Sequence, residues 1–247
     1  MRVAVIADTH GNLVATDAIL ADIDADGIGR VVCLGDAAGL GSHPREVVGR
    51  LRALGCPVVV GNADEFLLDP SLLDPDRHPE ADAAVRRMHD MERWCAAQLG
   101  PEDLDYLRTF RPTVEVPLGD GATLLCYHGS PRSNWDEIRG GTPDAELAEK
   151  LGGRRAAVMA GGHTHEQFVR RLGRSIVINP GSVGLPWEDL PGGGGRNPPW
   201  AEYAVVGHEQ GRFSVDLRRV PVDQAAIRRA LLESGMPHAE WWAADWH

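Results

Sequence analysis

The sequence predicts an α/β fold of two mixed sheets with helices outside, and three observations predict it. Short continuous apolar runs alternate with amphipathic stretches along the first half of the 247-residue chain. This is the pattern of strands covered on both faces and joined by crossover helices. Later runs follow one another too closely for helical crossovers and read as antiparallel. Five strand-like runs also end in a carboxylate, an imidazole or an amide: Asp8-Thr9-His10, Gly35-Asp36, Gly61-Asn62, His128-Gly129 and Gly162-His163-Thr164-His165. In open parallel sheets ligands bind outside the carboxyl ends of the strands, where all five clusters fall.

Val3 to Ala7 is the first strand, and Asn12 opens a helical pattern through Leu13, Ile19, Leu20 and Ile23. Val31 to Leu34 repeats the strand, Pro44 to Leu54 the helix, and Val58 to Val60 supplies a third strand. This βαβαβ series implies right-handed crossovers. From Glu65 to about Arg111 a polar opening precedes helices over 81–99 and 102–110, read as an inserted helical hairpin that either caps a site or packs beside the sheet. Thr113 to Pro117 and Thr123 to Tyr127 are expected strands, Pro143 to Leu151 a helix, and Ala156 to Ala160 a strand leading into the GHxH segment. Phe168 to Arg171, Ser175 to Ile178, Tyr203 to Val206 and Phe213 to Leu217 are the antiparallel strands. Pro186 to Pro199, with Gly192 to Gly195 inside it, is a loop by composition. Val222 to Ser234 is an amphipathic helix, and Trp241, Trp242 and Trp246 follow it. Such a tail docks onto the body or into the partner subunit of a homo-oligomer. The expected organisation is one domain over 1–247, with a helical insertion at about 65–111 and a Trp-rich tail at about 237–247.

Composition narrows the function. A formal charge of −11 repels polyanions, and Lys150 is the only lysine. A broad nucleic-acid groove, which needs clustered Lys and Arg, is not expected. No apolar run approaches the ~20 residues of a membrane span, and Met1 to Ala7 enters the first motif directly, so the expected location is the cytoplasm. Cys33, Cys56, Cys95 and Cys126 show no CxxC spacing and read as reduced, buried thiols.

Carboxylate oxygens mixed with neutral imidazoles suit Mn, Fe, Co, Ni or Zn better than Mg or Ca, which prefer oxygen alone. The ordered set DxH, GD, GN, H and GHxH, running from Met1 to about Pro186, resembles the calcineurin-like metallophosphoesterase superfamily. The segments Cys33 to Asp36 followed by GLGSHPREVV at 39–48, His128 to Pro131, and Asn179 to Gly184 are similar to small bacterial phosphodiesterase-like members. The resemblance implies a four-layer sandwich and hydrolysis of a small phosphoester by metal-bound hydroxide at two divalent transition-metal ions, Mn favoured over Fe, Zn, Co or Ni. It makes Asp36 the bridge, with Asp8, His10 and His165 completing one shell and Asn62, His128 and His163 the other. Asp36, Asn62 and His128 are also the candidate catalytic residues.

Candidate substrate contacts are Asn12, His43, Ser130, Arg132 and Ser182, which lie in loops at the same sheet edge. Asn12 either binds a phosphate oxygen or caps the first helix. His43 either enters the site as a proton donor or starts the next helix. Asp64 is expected to orient its neighbours. Many phosphatases of the superfamily carry a His after the GN asparagine and a partner Asp three residues after the bridging Asp. Ala63 and Gly39 stand there in this chain. The departure points to a phosphodiesterase, since a diester brings one negative charge and needs fewer donors. A phosphomonoesterase or protein phosphatase is the alternative, and a non-catalytic scaffold of the same fold the third reading.

Overall fold

The computed structural model describes residues 1–191 and 194–247. In chain order its first elements are β1 (Arg2–Ile6), α1 (Leu13–Ala25), β2 (Val31–Cys33), α2 (Pro44–Leu54), α3 (Asn62–Leu68), α4 (Ala83–Gln98) and α5 (Pro101–Leu107). There follow β3 (Val114–Gly119), β4 (Ala122–Cys126), α6 (Asp144–Lys150), β5 (Val158–Ala160), β6 (Phe168–Leu172) and β7 (Ser175–Asn179). The chain closes with β8 (Glu188–Asp189), β9 (Gly195–Arg196), β10 (Trp200–Glu209), β11 (Arg212–Pro221), α7 (Gln224–Glu233) and α8 (Ala239–Ala243).

Local chemistry sets several boundaries. The Asn12 side chain accepts from the Ala15 N–H and starts α1. Pro44, whose fixed φ suits a first helical turn, opens α2, and Gly55 at φ 65° ends it. Gln210 and Gly211, at φ 50° and 75°, form the two-residue turn between β10 and β11. Positive φ at both positions matches the twist of the paired strands.

The strands form two mixed sheets, ordered β11-β10-β1-β2 and β3-β4-β5-β7-β6, with β8 and β9 as a separate pair. β1 runs parallel to β2 and antiparallel to β10, while β5 is parallel to both β4 and β7. Side chains alternate across β1: Val3, Val5 and Ala7 join Leu124, Cys126, Val158, Ala160 and Ile178 in a core between the sheets. Ala4 and Ile6 face the other way, onto Ile19 and Val48 of α1 and α2. On the outer face of the second sheet Leu125, Tyr127, Met159 and Val177 pack on Leu147 and Leu151 of α6 and its C-terminal end. Helix, sheet, sheet and helix thus make the four expected layers.

Three expectations need correction. Val58 to Val60 forms single bridges, Val58 with Cys33 and Val59 with Arg111, instead of a third ladder strand. The segment is too short before α3 turns it away. α3 itself was not expected, because its seven residues are too few for a periodic signal. α4 packs chiefly on α3 and the 3-10 turn at Pro70–Leu73, and α5 on α2 and α3, so these helices do not form a simple hairpin. The loop after Pro186 carries the β8–β9 pair, and Gly192 and Gly193 lie outside the described residues. The tail docks on the body: Trp246, 2% exposed, shares a cluster with Met91, Ile227 and Leu231. Among the described residues no helix is long and apolar enough to cross a membrane.

Candidate metal centre

Each expected ligand follows a strand end or begins a helix, and the two sheets bring the loops together. Asp8 and His10 leave β1, Asp36 leaves β2, Asn62 opens α3, His128 leaves β4, and His163 and His165 leave β5. The loops after β1 and β2 bond to each other through Asp8 N–H to Gly35 O, His10 N–H to Asp36 O and Gly11 N–H to Ala37 O, at 2.9–3.0 Å. Asp8, His10, Asp36, His163 and His165 all have positive φ, between 42° and 68°. A residue with a Cβ adopts that region at a cost of roughly 1–2 kcal/mol. Such conformations persist only where the surroundings over-determine them, characteristically at functional sites.

Two groups of ligand atoms result. In one, Asp8, His10 and His165 each offer an atom within 4.8 Å of the others; in the second, Asp36, His128 and His163 do so. The Asn62 amide oxygen stands 3.0 Å from His128 Nε2. Asp36 Oδ2 lies between the groups, 3.3 Å from His128 Nε2 and 3.8 Å from His10 Nε2. All seven expected ligands are therefore together.

The surrounding backbone orients them. Nδ1 of His10, His128 and His165 faces the carbonyl oxygens of Gly39, Leu34 and Leu185 at 3.1, 2.7 and 2.7 Å. A protonated Nδ1 donates there, which leaves Nε2 as a lone-pair donor turned to the shared space. Asp36 Oδ1 accepts from the Ala63 N–H at 2.8 Å. The Asp64 carboxylate accepts from the N–H groups of Asp36, Ala37 and Gly61 at 2.8–3.0 Å, the orienting role expected of it. Gly61 allows the approach, because a Cβ there would meet Asp36 Oδ1 at 2.0 Å.

Electrostatics follow from burying acids and imidazoles together. Burial lowers the His10 pKa to about 4 and, with the His128 charge, lowers that of His163. Burial opposes charge on His128 and His165 too, but Asp36 and Asp8 respectively outweigh it, and His128 rises to about 10. Asp36 stays ionised well below the usual carboxylate range, since His128 and His10 overcome its desolvation. Desolvation and the Asp36 charge push Asp64 up to about 6. A cation is thus favoured beside Asp36, and in its simplest form that cation is a proton on His128. This donor set of imidazoles, carboxylates and an amide fits divalent transition ions.

Each of the five expected substrate contacts has a hydrogen-bond partner within the protein, and Asn12 shares a hollow with His10. Asn12 caps α1 with its oxygen and donates its amide to Gly184 O. Ser182 Oγ donates to Asp8 O and accepts from Leu185 N–H. Ser130 Oγ donates to Asp136 and accepts from the Arg132 and Ser133 N–H groups. Arg132 turns away to the Glu149 carbonyl. His43 pairs with Ser42 Oγ and lines a hollow with Arg229 and Glu233 of α7. Each loop needs its own polar groups to close its turns, and that need takes these side chains.

Two contributors were not read from the sequence, and a third, Asn179, was read only as part of a resembling segment. Asn179 donates to Gly162 O and Thr164 Oγ1, holding the GHxH loop. Glu92 of α4 is buried, and a Cβ on Gly39 would meet its carboxylate at 2.3 Å. An acid on the same buried stripe as Met91 and Cys95 was the available signal. Trp135 stands beside His163 and carried none.

Comparison with known proteins agrees with this geometry. The model of the calcineurin-like phosphoesterase superfamily domain matches residues 1–195. An uncharacterized protein of Methanocaldococcus jannaschii is 28% identical, with 97% of this chain and 94% of that one covered. A metallophosphoesterase from Sphaerobacter thermophilus is also 28% identical, with a TM-score of 0.73 over 99% of this chain and 97% of that one. A hypothetical protein from Pyrococcus horikoshii, 22% identical, shares the fold at a TM-score of 0.80 over 100% of this chain and 98% of that one. With the loops after β1, β2, β4 and β5 converging on one cluster of acids and imidazoles, this chain belongs to the calcineurin-like phosphoesterase superfamily.

Proposed function

We infer that the protein is a dinuclear, metal-dependent phosphoester hydrolase that prefers diesters and uses Mn. The observation that carries the reading is Asp36, one carboxylate oxygen of which stands between two ligand groups while the other is fixed by the Ala63 N–H. When bound, two divalent ions supply a water of lowered pKa and hold the charge that develops on the phosphoryl oxygens. The chain's own residues keep that geometry: the carbonyls of Gly39, Leu34 and Leu185 fix the imidazoles, and Asp64 fixes the turn that presents Asp36 and Asn62.

The preference for diesters rests on what stands at positions 63 and 39. Ala63 is buried and offers only a methyl group, and His43 faces α7. Neither position 63 nor His43 therefore offers the ligand groups an imidazole that could protonate a leaving oxygen. General acid help is typically worth 10²–10⁴-fold, so its loss falls hardest on poor leaving groups. Mn-loaded protein is expected to cleave bis(p-nitrophenyl) phosphate faster than p-nitrophenyl phosphate, and an aryl diester far faster than the matched alkyl diester. Equal aryl and alkyl rates with chemistry rate-limiting, or a preference for alkyl monoesters, would overturn this reading.

A further inference from the structure

Trp135 has the exposure of a surface residue and the restraint of a buried one. It is 50% exposed, yet its ring centroid lies 6.5 Å from that of His163, in an edge-on arrangement. Its indole N–H donates to the Glu65 carboxylate at 3.3 Å, and its ring meets Phe66 edge-on at 5.6 Å. Its backbone N–H is held by Ser133 Oγ at 3.1 Å, within a loop closed by the 2.6 Å bond from Ser130 to Asp136. α3, which also supplies Asn62, thus clamps an indole against the rim of the second ligand group. The indole N–H and ring are already engaged by neighbours, so a ligand that covers the ring gains contact area at a smaller ordering cost.

The polar groups around it are committed elsewhere. Arg132, the cation nearest in sequence, is tied to Glu149 O, and Ser130 and Ser182 close turns. What Trp135 leaves open at this rim is half of an aromatic side chain.

Building on the phosphoesterase reading, we propose that Trp135 is a specificity residue, a stacking platform for a flat aromatic group carried by the substrate, with a nucleobase one sugar away from the phosphate as its source. Stacking tolerates any base, because every base has a π face. It also supplies binding without the cationic groove that a charge of −11 disfavours. Alanine substitution at base-stacking aromatics loosens binding by roughly 5- to 150-fold.

The test is calorimetric binding of thymidine 5′-phosphate, phenyl phosphate and methyl phosphate to Mn-loaded wild type, Trp135→Ala and Trp135→Phe. The wild type is expected to bind the nucleotide at least about fivefold more tightly than methyl phosphate. Trp135→Ala removes that advantage, read as the ratio of nucleotide to methyl phosphate affinity within each variant; Trp135→Phe keeps part of it. An advantage that survives Trp135→Ala, or a wild type without one, overturns the proposal. A gain for phenyl phosphate with none for the nucleotide overturns the nucleobase assignment. The phosphoesterase reading fails separately, if the wild type binds the nucleotide through Trp135 yet cleaves neither the p-nitrophenyl ester of thymidine 5′-phosphate nor methyl p-nitrophenyl phosphate.

Discussion

Replacing Asp64 by Asn or by Ala separates the worth of its hydrogen bonds from that of its charge. Asp64 is fully buried and accepts three backbone N–H groups: Asp36 and Gly61 on Oδ2, Ala37 on Oδ1. Asp64→Asn keeps one oxygen, enough for two of the donors, and strands the third. Asp64→Ala strands all three. Both changes remove the charge that repels Asp36, so that repulsion drops out of the comparison between them. A buried donor without a partner costs about 1–3 kcal/mol, and the two variants differ by two donors. Asp64→Ala should therefore be less stable than Asp64→Asn by about 2–6 kcal/mol, within reach of a domain's whole stability of about 5–15 kcal/mol. Urea unfolding of the metal-free proteins at pH 7 measures the difference, and a failure of Asp64→Ala to fold where Asp64→Asn folds is the same result at its limit. Because the lost bonds hold Asp36 and the turn before Asn62, the Mn concentration needed for half-maximal binding should rise in the same order. Two variants within 1 kcal/mol of each other, with equal Mn affinity, would refute the role given to Asp64.

Three more outcomes follow from the buried groups. His128, raised to about 10 by Asp36 after burial's opposing effect, carries a proton at neutral pH that a metal must displace. Mn affinity should climb by up to about tenfold per pH unit between pH 6 and 9, and calorimetry in two buffers should show close to one proton released from this residue at pH 8; no release would contradict the ion pair. Glu92 is driven well above its ordinary range by burial and by the charges of Asp36 and Asp64. Its folded-state pKa exceeds the unfolded one, so stability present below the usual carboxylate pKa is lost as pH rises toward the folded value. Glu92→Gln should then raise the melting temperature relative to wild type by more at pH 8 than at pH 5, and a pH-independent difference would show that Glu92 is ionised in the fold. Trp246→Ala, at a site 2% exposed, should cost about 3–5 kcal/mol and lower Tm by about 6–20 °C; a change below 2 °C would mean that the tail is not docked in solution.

Sequence by itself determined most of the elements and which side chains meet at the sheet edge. The seven expected ligands were legible because metal chemistry demands particular side chains and the strand ends mark where they fall. The continuous apolar run of Val3 to Ala7 and the cap at Asn12 are local properties, and local properties survive into the fold. Tertiary structure alone decided which side chains were free to act. Asn12, Ser130 and Ser182 look like phosphate ligands in a linear reading, yet each has a turn or a helix end to satisfy, because a buried N–H or C=O left alone costs more than a surface contact returns. His43 is two residues from Gly41 in the chain but faces α7, since side-chain direction depends on how α2 packs. Glu92 reaches the site on α4, and Trp135, in the same loop as His128, is turned back onto His163; only the crossing of sheets and helices sets both there. The positive φ angles at Asp8, His10, Asp36, His163 and His165 belong to the same class. No property of an isolated Asp or His favours that backbone, and it exists because two loops, a buried carboxylate and the glycines at 61 and 162 leave it no other course.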